Sequence, residues 1–291
     1  MTEPPATEHG EVRLADGRAL AYLELGDPSG RPLFYFHGFP GSRLESRAIA
    51  TVVRRLGVRI LAVDRPGYGY SDFLPGRRLV DWPDDVAALA DALGIDRFGV
   101  VGASGGGPYA AVCAHRLAAR LDVAGIVSGL APPDDPRIRR GMIAVNRLGL
   151  ACAGRAPWLP RLVFAALAPL FRRRPQLIVA RLATHIAEPD RRCLRRAELR
   201  QVFADTFREA FRRGSRGAAH DAVVYGRPWG FRLRDVTMRV HLWHGERDVV
   251  VPVAMGRYLA RELPNCRATF YPGEGHFSLA LNRAAEMFGT P

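Results

Sequence analysis

The five residues Gly102-Ala103-Ser104-Gly105-Gly106 constrain this chain more than any others, because they separate the apolar run Phe98 to Val101 from the Ala-rich stretch Pro108 to Leu117. A serine on so sharp a strand-to-helix turn is held in a strained backbone conformation. Gly102 and Gly106 must be small so that strand and helix can approach each other. Such a turn holds the Ser104 hydroxyl up as a nucleophile. A hydroxyl is inert at neutral pH unless a base takes its proton, so the motif predicts a histidine and an acid elsewhere in the chain.

Both lie downstream. Gly245-Glu246-Arg247-Asp248 follows the strand-like segment Val240 to His244, and Gly273-Glu274-Gly275-His276 follows the strand-like Ala268 to Tyr271. Near the N-terminus, the strand-like Leu33 to Phe36 runs into His37-Gly38-Phe39-Pro40-Gly41, and Asp64-Arg65-Pro66-Gly67-Tyr68-Gly69-Tyr70-Ser71-Asp72 follows the strand-like Arg59 to Val63. With these five elements in this order, the chain resembles the α/β-hydrolase superfamily from Glu11 to Phe288, apart from an inserted middle without a diagnostic motif.

The resemblance implies an α/β-hydrolase fold: a mostly parallel eight-stranded sheet flanked by helices, with an inserted helical cap. It also implies a carboxylesterase-like serine hydrolase that needs no cofactor and acts on a small-molecule acyl substrate. Ser104 is then the nucleophile, His276 the general base and acid, and Asp248 the group that orients the imidazole. The Gly105 amide, immediately after the nucleophile, is one oxyanion donor, and by family analogy the Phe39 amide is the other. Glu246 competes for the acid role, as do Asp134 and Asp135, although the His-Gly-x-x-Asp context points to Asp248. Amide, lactone and carbon–carbon hydrolysis, hydroxynitrile lysis and slow ligand reception are compatible with the same three residues. A serine at position 104 argues against the dehalogenase and epoxide hydrolase chemistries, which use an aspartate there.

A nucleotide-binding reading of the glycine-rich turn fails on position and on composition. The turn comes after about four strand-like segments instead of the first. The sequence also contains no lysine, which removes the Tyr-x-x-x-Lys pair of short-chain dehydrogenases, P-loop chemistry and Schiff-base chemistry. Cys113, Cys152, Cys193 and Cys266 are scattered without C-x-x-C spacing, so neither a disulfide framework nor a zinc site is expected. His241 and His244, three apart on a strand, point to opposite faces and cannot share a metal ion.

Alternating apolar runs and helical spacing divide the chain into a first core segment (1–132), a helical cap (133–222) and a second core segment (223–291). Helices are expected at Ser46 to Leu56 and between Asp81 and Gly94, and an opening hairpin around Asp16-Gly17. Met1 to Gly10 reads as a frayed tail without a signal peptide. In the cap, Trp158, Phe164 and Phe171, along with Phe39 and Phe277 from the core, are the expected substrate-binding aromatics. The apolar stretch Leu162 to Phe171 is too short to span a bilayer, so a soluble, cytoplasmic protein without stable membrane insertion is expected. Oligomeric state is left open.

Charge is segregated. The cap carries 19 Arg against 8 acidic residues, a net charge of +11 out of +13 for the whole chain. Use of arginine in place of lysine fits a GC-rich bacterial genome, but that does not explain the segregation. A basic cap suits an anionic substrate, an acidic carrier or an anionic membrane surface. Arg172-Arg173-Arg174 and Arg212-Arg213 lack the interleaved aromatics expected for nucleic acid, so no such partner is expected. Arg43 reads as one half of a surface salt bridge.

Overall fold

The computed structural model describes residues 9–289 except Asp134, along with the backbone but not the side chains of Pro136 and Val145. Of the expected tail, residues 1–8 lie outside this range, and Gly10 already belongs to the first strand.

Eight strands form one sheet: β1 (Gly10–Arg13), β2 (Ala19–Gly26), β3 (Arg31–Phe36), β4 (Val58–Val63), β5 (Phe98–Ala103), β6 (Leu121–Val127), β7 (Val240–Gly245) and β8 (Cys266–Tyr271). Their order across the sheet is β1-β2-β4-β3-β5-β6-β7-β8. β2 pairs antiparallel with β1 and β4, and the remaining neighbours are parallel. The inner strands are continuous apolar runs, as burial on both faces demands.

The helices α1 (Ala50–Arg55), α2 (Trp82–Ala92) and α3 (Gly107–Arg116) interleave with the first six strands. The expected helix from Ser46 instead begins as a 3-10 segment, Arg43–Ile49, and becomes α-helical at Ala50. Among the described residues, six α-helices lie between β6 and β7: α4 (Ala144–Ala153), α5 (Trp158–Arg173), α6 (Pro175–Ala183), α7 (Glu188–Cys193), α8 (Ala197–Ala210) and α9 (Arg216–Tyr225). The boundary at 222 falls inside α9, because Ala222 to Tyr225 continue its buried face. The chain closes with α10 (Val253–Glu262), α11 (His276–Asn282) and α12 (Ala284–Phe288).

Two cores sandwich the sheet. Side chains of α2, α3 and α10, such as Trp82, Val112 and Leu259, cover one face. Val53 of α1, Leu279 of α11 and Phe288 of α12 cover the other. A third cluster belongs to the inserted helices, where Phe171, Phe203, Phe207 and Phe211 pack together. From β3 the chain steps to β4 toward one edge, and from β5 on it adds strands toward the other, so the order of the sheet switches between the parallel neighbours β3 and β5. A crevice therefore opens at the carboxyl ends of the strands, where α/β sheets place their ligands.

Candidate active site

Ser104 follows β5 directly and has φ +54°, in the left-handed region that a non-glycine residue occupies only when its surroundings enforce it. Its surroundings do so. A methyl group at Gly102 would lie 2.1 Å from the Gly106 carbonyl oxygen, and one at Gly106 would lie 2.0 Å from the Phe36 oxygen. Neither position admits a side chain, so the turn stays tight and the serine stays raised at the end of the strand.

Asp248, after β7, and His276, opening α11 after β8, meet across two loops. His276 Nδ1 lies 2.6 Å from Asp248 Oδ2. The acceptor is a carboxylate, so Nδ1 carries the proton and Nε2 is left as a base. The other Asp248 oxygen accepts the Val250 and Val251 amides, each at 2.8 Å, which fixes the carboxylate. Burial alone would lower the His276 pKa. The Asp248 charge outweighs it, with Asp190 and Glu45 adding to the effect, so the imidazole titrates above its ordinary value. Ser104 and His276 line one cavity of about 220 Å³, and among the described residues no hydrogen bond joins them.

The rival acids lie elsewhere. Glu246 pairs with Arg257 at 2.9 Å on the exposed side, and Asp135 accepts the Arg137 amide at 2.8 Å. Asp134 lies outside the described residues.

Opposite the imidazole, the His37–Phe39 turn approaches Gly105 closely. A methyl group at Gly105 would lie 2.6 Å from Phe39 Cβ, 2.8 Å from the Tyr225 hydroxyl and 3.3 Å from the Phe39 nitrogen. The Gly38 amide is engaged, donating to Glu45 at 3.0 and 3.1 Å. Among the described residues the Phe39 amide donates to nothing, so it is the free donor of this turn. The turn is braced from behind, where Arg65 donates to the His37 carbonyl at 2.5 Å and to the Gly38 carbonyl at 2.9 Å.

The brace ends on Asp221 of α9, which is fully buried. It accepts from Arg65 at 2.9 Å, Tyr109 at 2.6 Å and Tyr68 at 3.0 Å, and also from Arg77. Tyr225 gives its one hydroxyl proton to the Gly105 carbonyl at 2.8 Å, with Asp221 farther off at 3.3 Å. Burial would raise the Asp221 pKa, but Arg65 and Arg77 outweigh it and hold the carboxyl below the ordinary range. Asp221 and Tyr225 thereby tie both sides of the Phe39–Gly105 gap to α9.

A second carboxylate from the inserted helices grips the histidine. Asp190 of α7 accepts the main-chain amide of His276 on Oδ2, and those of Phe277 and Ser278 on Oδ1, all at 2.9 Å. A methyl group at Gly275 would sit 2.3 Å from Asp190 Oδ2, which explains the glycine before His276. Glu45 is a third carboxylate of the site. It faces the cavity and accepts a hydrogen bond from the Tyr35 hydroxyl at 2.5 Å. Asp190, Asp221, Tyr225 and Glu45 carry no local motif, and their charged or mixed neighbours, such as Glu188, Arg191 and Arg192 around Asp190, give no sequence signal for them.

The aromatic expectations divide. Phe39, Phe171 and Phe277 line the cavity, whereas Trp158 and Phe164 do not. Trp158 is 59% exposed on the outer face of α5. Phe164 stacks edge-on against Phe39 at 5.7 Å, behind the lining. Arg43 also departs from expectation: it is buried, bonded to Asp64 at 2.5 Å and to Glu209 at 2.7 Å, and ties the 3-10 segment to α8. Of the cysteines, only Cys113 is fully buried.

The chain is 28% identical over 283 residues to a bifunctional esterase/perhydrolase of Acinetobacter calcoaceticus, covering 92% of each chain. It is 26% identical over 278 residues to a non-heme haloperoxidase of Rhodococcus erythropolis, covering 93% of this chain and 94% of that one. A solved hydrolase from Pseudomonas aeruginosa superposes with a TM-score of 0.71 at 19% identity, over 98% of this chain and 97% of the other. Residues 31–282 match the sequence model of the alpha/beta hydrolase fold, and with the sheet order and the serine turn described above, the chain belongs to that family.

Proposed function

We propose that this hydrolase cleaves small to medium, largely apolar carboxylic esters through an acyl-enzyme on Ser104. The observation that carries the reading is the 2.6 Å bond between Asp248 and His276 beside a strained serine in one cavity. In the proposed reaction, His276 Nε2 takes the Ser104 proton as Oγ attacks the acyl carbon, and then gives that proton to the leaving alkoxide. Asp248 holds the imidazole tautomer and offsets the charge of the imidazolium. The oxyanion is received by the Phe39 and Gly105 amides, each such donor contributing about 3 kcal/mol to the transition state. Water, deprotonated by the same imidazole, then releases the acid.

The apolar walls supplied by Phe39, Phe171 and Phe277 suit a hydrocarbon acyl group. The cavity volume of about 220 Å³ sets its scale. The relatives' names support a second use of the same intermediate, in which hydrogen peroxide replaces water and the product is a peracid. The test is turnover of a panel of nitrophenyl esters of increasing acyl length, with and without peroxide. Activity on short to medium chains that disappears in Ser104→Ala supports the reading, and turnover of none of them overturns it.

A further inference from the structure

α5 has an outer face that its inner face does not explain. At 100° per residue, Trp158, Leu162, Ala165 and Pro169 fall within about 60° of one another, Arg161 and Arg172 flank them on one side, and Arg173 lies on the other. Trp158 and Leu162 are 59% and 61% exposed, and Leu177 on the adjoining α6 is 57% exposed. Pro160 and Phe171 lie on the far side and are buried, Ala168 is buried on one flank, and Val163, Leu167 and Leu170, 43%, 38% and 36% exposed, carry apolar exposure beyond Arg173 on the other. A contiguous exposed apolar stripe on a soluble domain marks a contact surface.

The charge around the stripe identifies the partner. From 136 to 187 the chain has ten Arg and no Asp or Glu. Arg147, Arg155, Arg161, Arg172, Arg173, Arg174 and Arg181 are all exposed, and among the described residues none of them makes an ion pair. An apolar stripe rimmed by unpaired arginines matches an anionic bilayer surface, where side chains such as Trp and Leu enter the acyl boundary and guanidinium groups meet phosphates. Among the described residues no helix is long and apolar enough to cross a membrane, so the contact is superficial.

We propose that the outer face of α5, with the start of α6, docks this protein on anionic lipid bilayers. The inner face of the same helix contributes Phe171 to the cavity. Docking would therefore place the site beside substrates that partition into lipid. The proposal does not depend on the ester-hydrolase reading, because its readouts are tryptophan emission and flotation, and ester hydrolysis enters only as a control that the variants keep their fold.

Trp158 is a built-in reporter, since Trp82, Trp229 and Trp243 are 2%, 4% and 4% exposed. Vesicles containing phosphatidylglycerol should shift the tryptophan emission to the blue and carry the protein upward in flotation. Vesicles of phosphatidylcholine alone should do neither. Each arginine engaged should contribute roughly fivefold in affinity, so binding should weaken steeply with salt. Leu162→Asp should lower the affinity at least about tenfold while leaving hydrolysis of a water-soluble ester unchanged. The double variant Arg172→Glu, Arg173→Glu should do the same by charge alone. Absence of binding, equal binding to both vesicle types, or a blue shift on concentrating the protein without lipid would each overturn the proposal, the last by identifying a second copy as the partner.

Discussion

Replacing Asp190 tests whether the inserted helices hold the proposed base in place. Among the described residues the carboxylate is the sole acceptor for the His276, Phe277 and Ser278 amides, and it is buried. Asp190→Ala strands three main-chain donors at the start of α11, which costs about 2 to 4 kcal/mol, since hydrogen bonds to a charged group contribute about 1.5 to 3 kcal/mol each and do not add fully. That corresponds to a fall of about 3 to 7 °C in melting temperature for a chain of this size. Asp190→Asn is more selective. Its oxygen can keep the Phe277 and Ser278 amides, but its NH2 group then faces the His276 amide. With the histidine displaced by a fraction of an ångström, kcat should fall about ten- to hundredfold, while KM changes little because Asp190 does not line the cavity. The negative charge that helps raise the His276 pKa is also lost, so the acid limb of the pH profile should move downward. Scanning fluorimetry and steady-state kinetics on a soluble ester read all three effects. Loss of stability with unchanged kcat and an unchanged acid limb in both variants would show that Asp190 is structural only, and the reasoning would be refuted.

Three further outcomes are expected. In wild type, kcat/KM should fall as pH drops through an apparent pKa above 6.5, because the base must be neutral and Asp248 raises its pKa against the effect of burial; Asp248→Asn should lower that pKa and reduce kcat by about four orders of magnitude. The same raised pKa means that His276 stabilises the fold fully below the unfolded imidazole value and loses that contribution as pH rises through the folded one. Asp221→Asn should destabilise the protein at neutral pH by about 3 to 5 kcal/mol in denaturant titration, because Arg65 and Arg77 stay buried without their carboxylate; the wild-type contribution, from a depressed pKa, is complete above about pH 4 and fades only as pH falls through the folded value. Gly105→Ala should abolish turnover while the chain still folds, since its methyl group meets Phe39 Cβ at 2.6 Å and the Tyr225 hydroxyl at 2.8 Å; a variant with wild-type kcat would remove Gly105 from the oxyanion account.

What was legible in the sequence was whatever a short segment dictates alone. The serine turn announces itself because its glycines are forced by contacts within the turn and with the neighbouring strand. Asp248 and His276 were legible because each follows its own apolar strand within a few residues. Asp190 and Asp221 were not, because their partners lie 86 to 88 and 112 to 156 residues away. No local pattern distinguishes them from solvated acids. Trp158 shows the limit of helical periodicity: spacing reveals that α5 has two faces, but which face meets the core depends on how the helix docks. Arg43 shows the converse, a charge that looks solvated until Glu209, 166 residues later, is folded against it.

The most direct test of the central claim is intact-mass and peptide mapping after treatment with a fluorophosphonate. The account expects one adduct, on Ser104, together with complete loss of ester turnover, and expects Ser104→Ala to be neither labelled nor active. An adduct on a different residue, or undiminished hydrolysis by Ser104→Ala, would contradict it.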